Sequence, residues 1–130
     1  MRNQLNDKLS KKILILCDMF PPAFAPRMGY LCKYMKQSGW EPVVVTEYID
    51  EHTFDFLKGI CEVTYVNFYP VKNKLLKKLL WIATVTADYL FSYKERKMVK
   101  VASGIVQKGD FGTVLCSTYR TFPLPAAFTV

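Results

Sequence analysis

The stretch that decides the fold runs from residue 12 to residue 46, opening with KILILCD (12–18) and closing with PVVVT (42–46). Both ends are short, continuous apolar runs, which are typical of strands covered on both faces in a parallel sheet. Between them, apolar residues recur at helical spacing: Met28, Leu31, Cys32 and Met35. Ser38-Gly39 is expected to end this helix, because glycine commonly follows the last turn. The stretch therefore predicts one right-handed βαβ unit.

Three further segments extend this unit. Residues 50–58 predict a weaker helix in which Phe54 and Leu57 are available for burial. Residues 62–69 alternate in polarity and are rich in β-formers, which predicts a third strand, and residues 111–117 predict a fourth. The sequence therefore predicts an α/β, Rossmann-like open parallel sheet with helices on both faces and the strand order 3-2-1-4.

The segment between the last two strands has a helical pattern. From Lys74 onward one apolar stripe is formed by Leu75, Leu76, Leu79, Leu80 and Ala83. Ser92 with Glu95 predicts a capping box that restarts a helix, and Gly109-Asp110 is expected to stop it. Another helix is predicted to begin at Ala126, close to the end of the chain. We therefore interpret residues 12–130 as a partial, truncated domain and residues 1–11 as a flexible N-terminal segment.

Composition narrows the class of protein. The 130 residues are 51% hydrophobic and 15% aromatic, which excludes disorder and indicates one packed domain. No apolar run reaches the roughly 20 residues that cross a bilayer, and the polar N-terminus does not resemble a signal peptide. The cysteines are scattered without a CxxC pair, at Cys17, Cys32, Cys61 and Cys116. With His52 as the sole histidine, this spacing predicts free thiols in a cytoplasmic protein and no metal site.

Charge is concentrated in one segment. Residues 71–108 hold nine basic and two acidic residues, so this segment carries the whole net charge of +7 and the rest of the chain is balanced. Such a local basic field favours an anionic partner: lipid headgroups, a phosphorylated substrate or nucleic acid. A solvated helix face without a partner explains the same charge equally well.

Candidate binding residues lie in the loops after strands one and four. In an open parallel sheet, ligands bind beyond the carboxyl ends of the strands, where the strand order reverses. An exposed helix N-terminus and arginine side chains would suit a sugar phosphate or a polyhydroxylated ligand there. The candidate substrate-binding residues are Phe20, Pro22, Phe24, Arg27, Gly29, Ser117, Thr118, Tyr119 and Arg120. The alternative is that Arg27 and Arg120 are ordinary surface or salt-bridged residues.

Several familiar sites are excluded by their chemistry. A dinucleotide site needs a G-x-G-x-x-G loop after strand one, where this chain has PPAFAP (21–26) and then Gly29 alone. Glu47 lies at the position that usually binds the ribose, but by itself it is weak evidence for a dinucleotide site. No Ser-His-Asp set can be built around the single His52, and we assign no catalytic residue.

Residues 12–46 resemble the opening of GT-B fold glycosyltransferases of the family 4 type. The similar motifs are Phe20-Pro21-Pro22, the helix containing Leu31 to Met35, Gly39-Trp40 and Val43-Val44-Val45-Thr46. Later stretches also fit, at Val114 to Ser117 and at Leu124 to Ala127. The resemblance implies an N-terminal domain that binds a glycan or lipid-linked acceptor in polysaccharide biosynthesis. It also implies that the nucleotide-sugar donor binds a C-terminal domain absent from this chain. This chain is therefore expected to bind no cofactor and to be inactive by itself.

Two positions depart from that family. The usual Gly-Gly of the first loop is replaced by Ala25-Pro26-Arg27, which puts a phosphate contact by loop glycines in doubt. Many members carry a histidine after strand four, where this chain has Ser117 or Thr118.

The basic segment resembles the membrane-contacting helices of that class. The candidate membrane-contact residues are Lys72, Lys74, Lys77, Lys78 and Trp81. They predict a protein peripheral to the inner face of the membrane. The apolar stripe that begins at Leu75 is expected instead to pack on the sheet, as the apolar faces of most amphipathic helices do. The alternative function is a non-catalytic Rossmann-type binding module for an anionic ligand or nucleic acid. Nucleic acid is a less favoured partner, because apolar and basic residues are segregated.

Overall fold

Four parallel strands form one sheet in the order β3-β2-β1-β4, in a computed structural model that describes residues 11–18, 20, 26–48, 57–117 and 127–130. The strands are β1 Lys12–Cys17, β2 Glu41–Glu47, β3 Glu62–Val66 and β4 Phe111–Ser117. The helices are α1 Pro26–Gln37, α2 Lys74–Phe91 and α3 Tyr93–Val106. The predicted Rossmann-like α/β sheet and its strand order are confirmed.

Strand β1 is the centre of the core. Leu14 pairs with Val43 of β2 on one side and with Val114 of β4 on the other. Successive side chains of a strand point to opposite faces, so β1 contributes to two apolar layers. Leu14 and Leu16 pack in the layer covered by α3, whereas Ile13, Ile15 and Cys17 pack in the layer that includes α1. Each fully buried aliphatic side chain contributes about 1.5–3 kcal/mol, which explains why this run of residues decides the fold.

Helix α1 begins and ends where the local chemistry allows. Pro26 is its first residue, a position at which the fixed φ of proline fits and its missing N–H is not needed. Its end is closed by Gly39, whose φ of +83° few other residues adopt. The Trp40 amide, just beyond, donates a 2.9 Å hydrogen bond to the Met35 carbonyl.

The third strand is shorter than its sequence suggests. We predicted residues 62–69, but β3 ends at Val66. The Asn67 side-chain oxygen accepts a 2.8 Å hydrogen bond from the Tyr69 amide, and such an Asx turn bends the chain out of the strand. Of the helix predicted at residues 50–58, only Leu57 and Lys58 are described; they belong to a turn, and Leu57 is buried.

The capping box predicted at Ser92 and Glu95 is wrong. Ser92 has a left-handed backbone (φ 51°, ψ 48°), and its side chain makes no capping hydrogen bond. Instead Asp88, in the last turn of α2, accepts a 2.8 Å hydrogen bond from the Lys94 amide through Oδ1. Ser92 therefore closes α2 and lets α3 begin at the next residue, so the two helices meet at a corner.

Candidate functional site

The carboxyl ends of β1 and β4 lie side by side. Cys17 pairs with Ser117, and β1 also borders β2, so the strand order reverses at this point of the sheet. This is the position at which open α/β sheets bind ligands. We name it the carboxyl edge: the ends of the four strands together with the first turn of α1.

The structure separates the candidate residues by burial. Arg27 is exposed in the first turn of α1, whereas Gly29 is buried. Phe20 is only 2% exposed and packs in the apolar layer on the α1 side of the sheet, so it belongs to the core. Ser117 is half-buried at the end of β4. The other candidates lie outside the described residues: Pro22, Phe24, Thr118, Tyr119 and Arg120.

These residues form an arrangement suited to an anion or a polyol. The first amides of α1 have no partner within the helix, and the exposed Arg27 guanidinium adds a forked donor close to them. Asp18, which follows β1, is buried at the same edge with 3% of its surface exposed. Its polar side chain is not left without an interaction there. Burial and, to a smaller extent, the Asp18 carboxylate raise the pKa of the nearby Cys116 thiol. The burial of Asp18 was not evident from the sequence, in which this residue is the polar end of an apolar run.

A buried ion pair holds α3 to the same edge. Lys94 Nζ lies 3.1 Å from Glu47 Oε1, and both residues are 7% exposed. The ammonium also lies 4.9 Å from the centre of the Phe68 ring and 5.5 Å from that of Tyr69. The carboxylate at the usual ribose-binding position is thus already bound by a lysine. Sequence reasoning missed this pair, because its members are 47 positions apart.

The apolar face of α2 points away from the protein, so our expectation that the leucine stripe packs on the sheet is wrong. Thr84 is the buried residue of α2, and the helix contacts chiefly α3 within the described part of the chain. The opposite side we name the outer face; it comprises Leu75, Leu79, Ile82, Tyr89 and Leu90. Leu75 is 76% exposed and Tyr89 90%. Exposed apolar patches of this kind mark interaction surfaces.

Lysines are concentrated at the amino-terminal end of α2. Lys72 precedes α2, and Lys74, Lys77 and Lys78 occupy its first two turns. All four side chains are exposed, as is Trp81 one turn further on. No acidic residue lies in the first turn of α2. The helix, about 27 Å long, therefore has a basic amino-terminal end that continues into an apolar surface.

A separate cavity of about 540 Å³ lies at the opposite end of the sheet. It is bordered by the first residues of the strands and by the last turns of α3, and Lys12, Lys100 and Lys108 line it. Gly104 of α3 also lines it, and a Cβ atom built there meets nothing within 4 Å. No close packing therefore requires glycine at this position.

Replacing Gly104 with alanine is expected to raise the free energy of unfolding by about 0.5–1 kcal/mol, because alanine restricts the unfolded chain and favours the helix. Urea denaturation monitored by circular dichroism measures the change. Gly39→Ala is the matched control and should destabilise the protein, since Gly39 has a φ of +83°. A Gly104→Ala variant less stable than the parent would show that the cavity does not accept a methyl group.

The described residues contain neither a membrane-spanning helix nor a cluster of metal-ligating side chains. Of the helices that the structure describes, none is long and apolar enough to cross a bilayer. Within the same residues, no group of three or more His, Cys, Asp or Glu side chains is arranged to hold a metal ion.

Comparison with known proteins leaves the fold and the carboxyl edge as the basis for a function. No protein-family model matches this chain, and neither does any curated protein or any solved structure.

Proposed function

We propose that this chain is the acceptor-binding N-terminal domain of a glycosyltransferase that moves a sugar from a nucleotide-sugar donor to an acceptor. The observation that carries the proposal is the carboxyl edge, where β1 and β4 end side by side and α1, which follows β1 in the chain, has the exposed Arg27 in its first turn. Donors of this type suit hydroxyl and phosphate groups. The resemblance of residues 12–46 to family 4 glycosyltransferases supports the same assignment. In this proposal the donor binds a separate domain.

The outer face of α2 favours a lipid-linked acceptor over a free glycan. Helix α2 meets α3 at Ser92, and two residues later Lys94 binds Glu47 at the carboxyl end of β2. The carboxyl-terminal end of α2 therefore lies near the edge that carries the acceptor site. A protein resting on a membrane through α2 would hold this edge close to the headgroups, where a lipid-linked sugar is presented.

Charge complementarity supports an anionic membrane surface as the partner of α2 in this proposal. The lysines of its basic end attract anionic headgroups, each contributing about 1 kcal/mol near the surface, and apolar side chains enter the acyl boundary. The cytoplasmic leaflet carries the anionic lipids. We therefore propose a cytoplasmic location at the inner face of the membrane, with Lys72, Lys74, Lys77, Lys78 and Trp81 in contact with lipid.

The acceptor site is tested by Arg27→Ala. We expect this variant to bind acceptors about 10- to 150-fold more weakly, since a hydrogen bond to a charged group contributes about 1.5–3 kcal/mol. Saturation-transfer NMR with a panel of short glycans and sugar phosphates measures the affinity. Arg96→Ala, an exposed arginine of α3, removes the same charge elsewhere and should bind as the parent does.

Two results would contradict the proposal. Equal affinities of the parent and Arg27→Ala would remove that side chain from the site. Tight binding of single-stranded nucleic acid with a steep salt dependence, and no binding of any glycan, would favour the non-catalytic module instead.

A further inference from the structure

The cavity at the amino-terminal end of the sheet has the size of a small-molecule site. Its volume of about 540 Å³ lies within the roughly 300–1,000 Å³ that ligand pockets occupy. Residues near the starts of all four strands border it, together with the second half of α3. Because the carboxyl edge lies at the other end of the strands, the proposed acceptor site does not use this cavity.

Part of the cavity lining is apolar and belongs to the core. Val101, Ile105 and Phe111 line it, and all three also pack against the apolar layer covered by α3. They are half-buried, so the core holds them in place while part of their surface stays open to the cavity. The Phe111 ring offers a flat apolar surface against which another ring can stack.

Two glycines of the lining provide room. A Cβ added to Gly109 would lie 2.8 Å from Cε2 of Phe111, so the ring occupies its position only because residue 109 has no side chain. At Gly104, an added Cβ would meet no atom within 4 Å, so α3 leaves open space there. Neither glycine has a positive φ, so the backbone conformation does not explain them.

The pairing of β1 with β4 is irregular beside the cavity. Lys12 pairs with Phe111, but Ile13 pairs with Thr113, so Gly112 is an extra residue in β4. Such bulges redirect side chains and are frequent next to functional sites. The two residues that precede this shift, Lys12 and Phe111, both line the cavity.

The cavity is also basic. Of the described residues that line it, three are lysines, Lys12, Lys100 and Lys108, and one is acidic, Glu62. All four side chains are exposed. Lys100 and Lys108 make no ion pair with any residue that the structure describes. Their ammonium groups are therefore available to an anionic ligand, and phosphate is an anion that lysine commonly binds.

We propose that this cavity binds a nucleotide, with the phosphate groups on the lysines and the base against Phe111. Inorganic phosphate would use the lysines alone, whereas a nucleotide uses both the basic and the apolar parts of the lining. The Glu62 carboxylate can accept hydrogen bonds from amino or hydroxyl groups of the base and the sugar. At this end of the sheet the nucleotide would be a ligand that takes no part in sugar transfer.

Calorimetric titration of the full chain tests the ligand class. ATP and UTP represent purine and pyrimidine nucleotides, and inorganic triphosphate, adenosine and uridine represent their parts. We expect a nucleotide to bind, and its parts to bind at least about 10-fold more weakly, because each part contacts only one portion of the lining. Triphosphate that binds as tightly as the nucleotides would overturn the proposal, as would a parent that binds neither nucleotide at millimolar concentration.

Two variants locate the site. Lys100→Gln combined with Lys108→Gln should bind the nucleotide at least about 10-fold more weakly, because charge-assisted hydrogen bonds are lost. Gly104→Leu should cause a similar loss by filling the open space beside α3, and leucine favours the helix more than glycine does. The two lysines are exposed, so their exchange tests the site even if Gly104→Leu fails to fold.

Two controls separate this site from other surfaces. Lys36→Gln combined with Lys74→Gln removes the same charge from exposed positions of α1 and α2 and should bind the nucleotide as the parent does. Arg27→Ala should also keep the parental affinity. Loss of nucleotide binding in Arg27→Ala, with parental binding in the Lys100 and Lys108 double variant, would place the nucleotide at the carboxyl edge. That result would overturn this inference while leaving the proposed acceptor site to its own test with glycans.

Discussion

Replacing Lys94 with methionine is expected to lower the free energy of unfolding by about 3–5 kcal/mol, because it leaves a buried carboxylate without its cation. Glu47 is 7% exposed and lies 3.1 Å from Lys94 Nζ. Methionine keeps most of the apolar stem that packs near Phe68, so the charge is the main loss. Urea denaturation at neutral pH, monitored by circular dichroism, measures the change.

A double variant separates the ion pair from the packing around it. Lys94→Met combined with Glu47→Leu should recover most of the lost stability, since exchanging both members of a buried pair for apolar residues is often neutral or stabilising. Lys100→Met, on the exposed side of the same helix, should stay within about 0.5 kcal/mol of the parent. If Lys94→Met were as mild as Lys100→Met, the ion pair would not hold α3 to the edge.

Changing the four lysines at the basic end of α2 to glutamine is expected to weaken binding to anionic vesicles by about three orders of magnitude. The estimate follows from about 1 kcal/mol for each of Lys72, Lys74, Lys77 and Lys78. Co-sedimentation measures it, using phosphatidylcholine vesicles with and without phosphatidylglycerol. The parent should bind the anionic vesicles, and added salt should weaken that binding.

The matched control removes the same charge from other surfaces. A variant in which Lys33, Lys36, Lys100 and Lys108 are all changed to glutamine should keep most of the parental affinity for the anionic vesicles. Equal losses in the two variants would mean that only net charge matters and that α2 is no docking surface. A different result would show that a second copy of the chain covers the outer face: the parent does not bind vesicles but forms dimers, and Leu79→Ser dissociates those dimers.

The sheet was predictable because its signals are local and mutually consistent. Apolar runs at residues 12–17 and 42–46, with a helical pattern between them, specify a parallel βαβ unit without help from the rest of the chain. The strand order then followed from the Rossmann-like topology that this βαβ unit indicated. The position of the carboxyl edge, and with it Arg27 and Ser117, followed from the same topology.

The features that could not be predicted from the sequence depend on contacts between residues far apart in the chain. Leu75 and Leu79 have the spacing of a core stripe, but spacing alone does not tell which side of a helix meets the sheet. The Lys94–Glu47 pair forms only when β2 and α3 fold together. Ser92 was misassigned because a serine before an acidic residue predicts a cap, whereas here Asp88 accepts the Lys94 amide instead.

The corner at Ser92 makes α2 a module that can change independently of the sheet. Within the part of the chain that the structure describes, α2 contacts chiefly α3, and the exposed Leu75, Ile82 and Tyr89 contribute little to the burial that stabilises the fold. Substitutions at these positions can therefore alter the surface to which the protein attaches while leaving β1 and the carboxyl edge intact. Selection for a different lipid composition would act on this one helix without a penalty in folding.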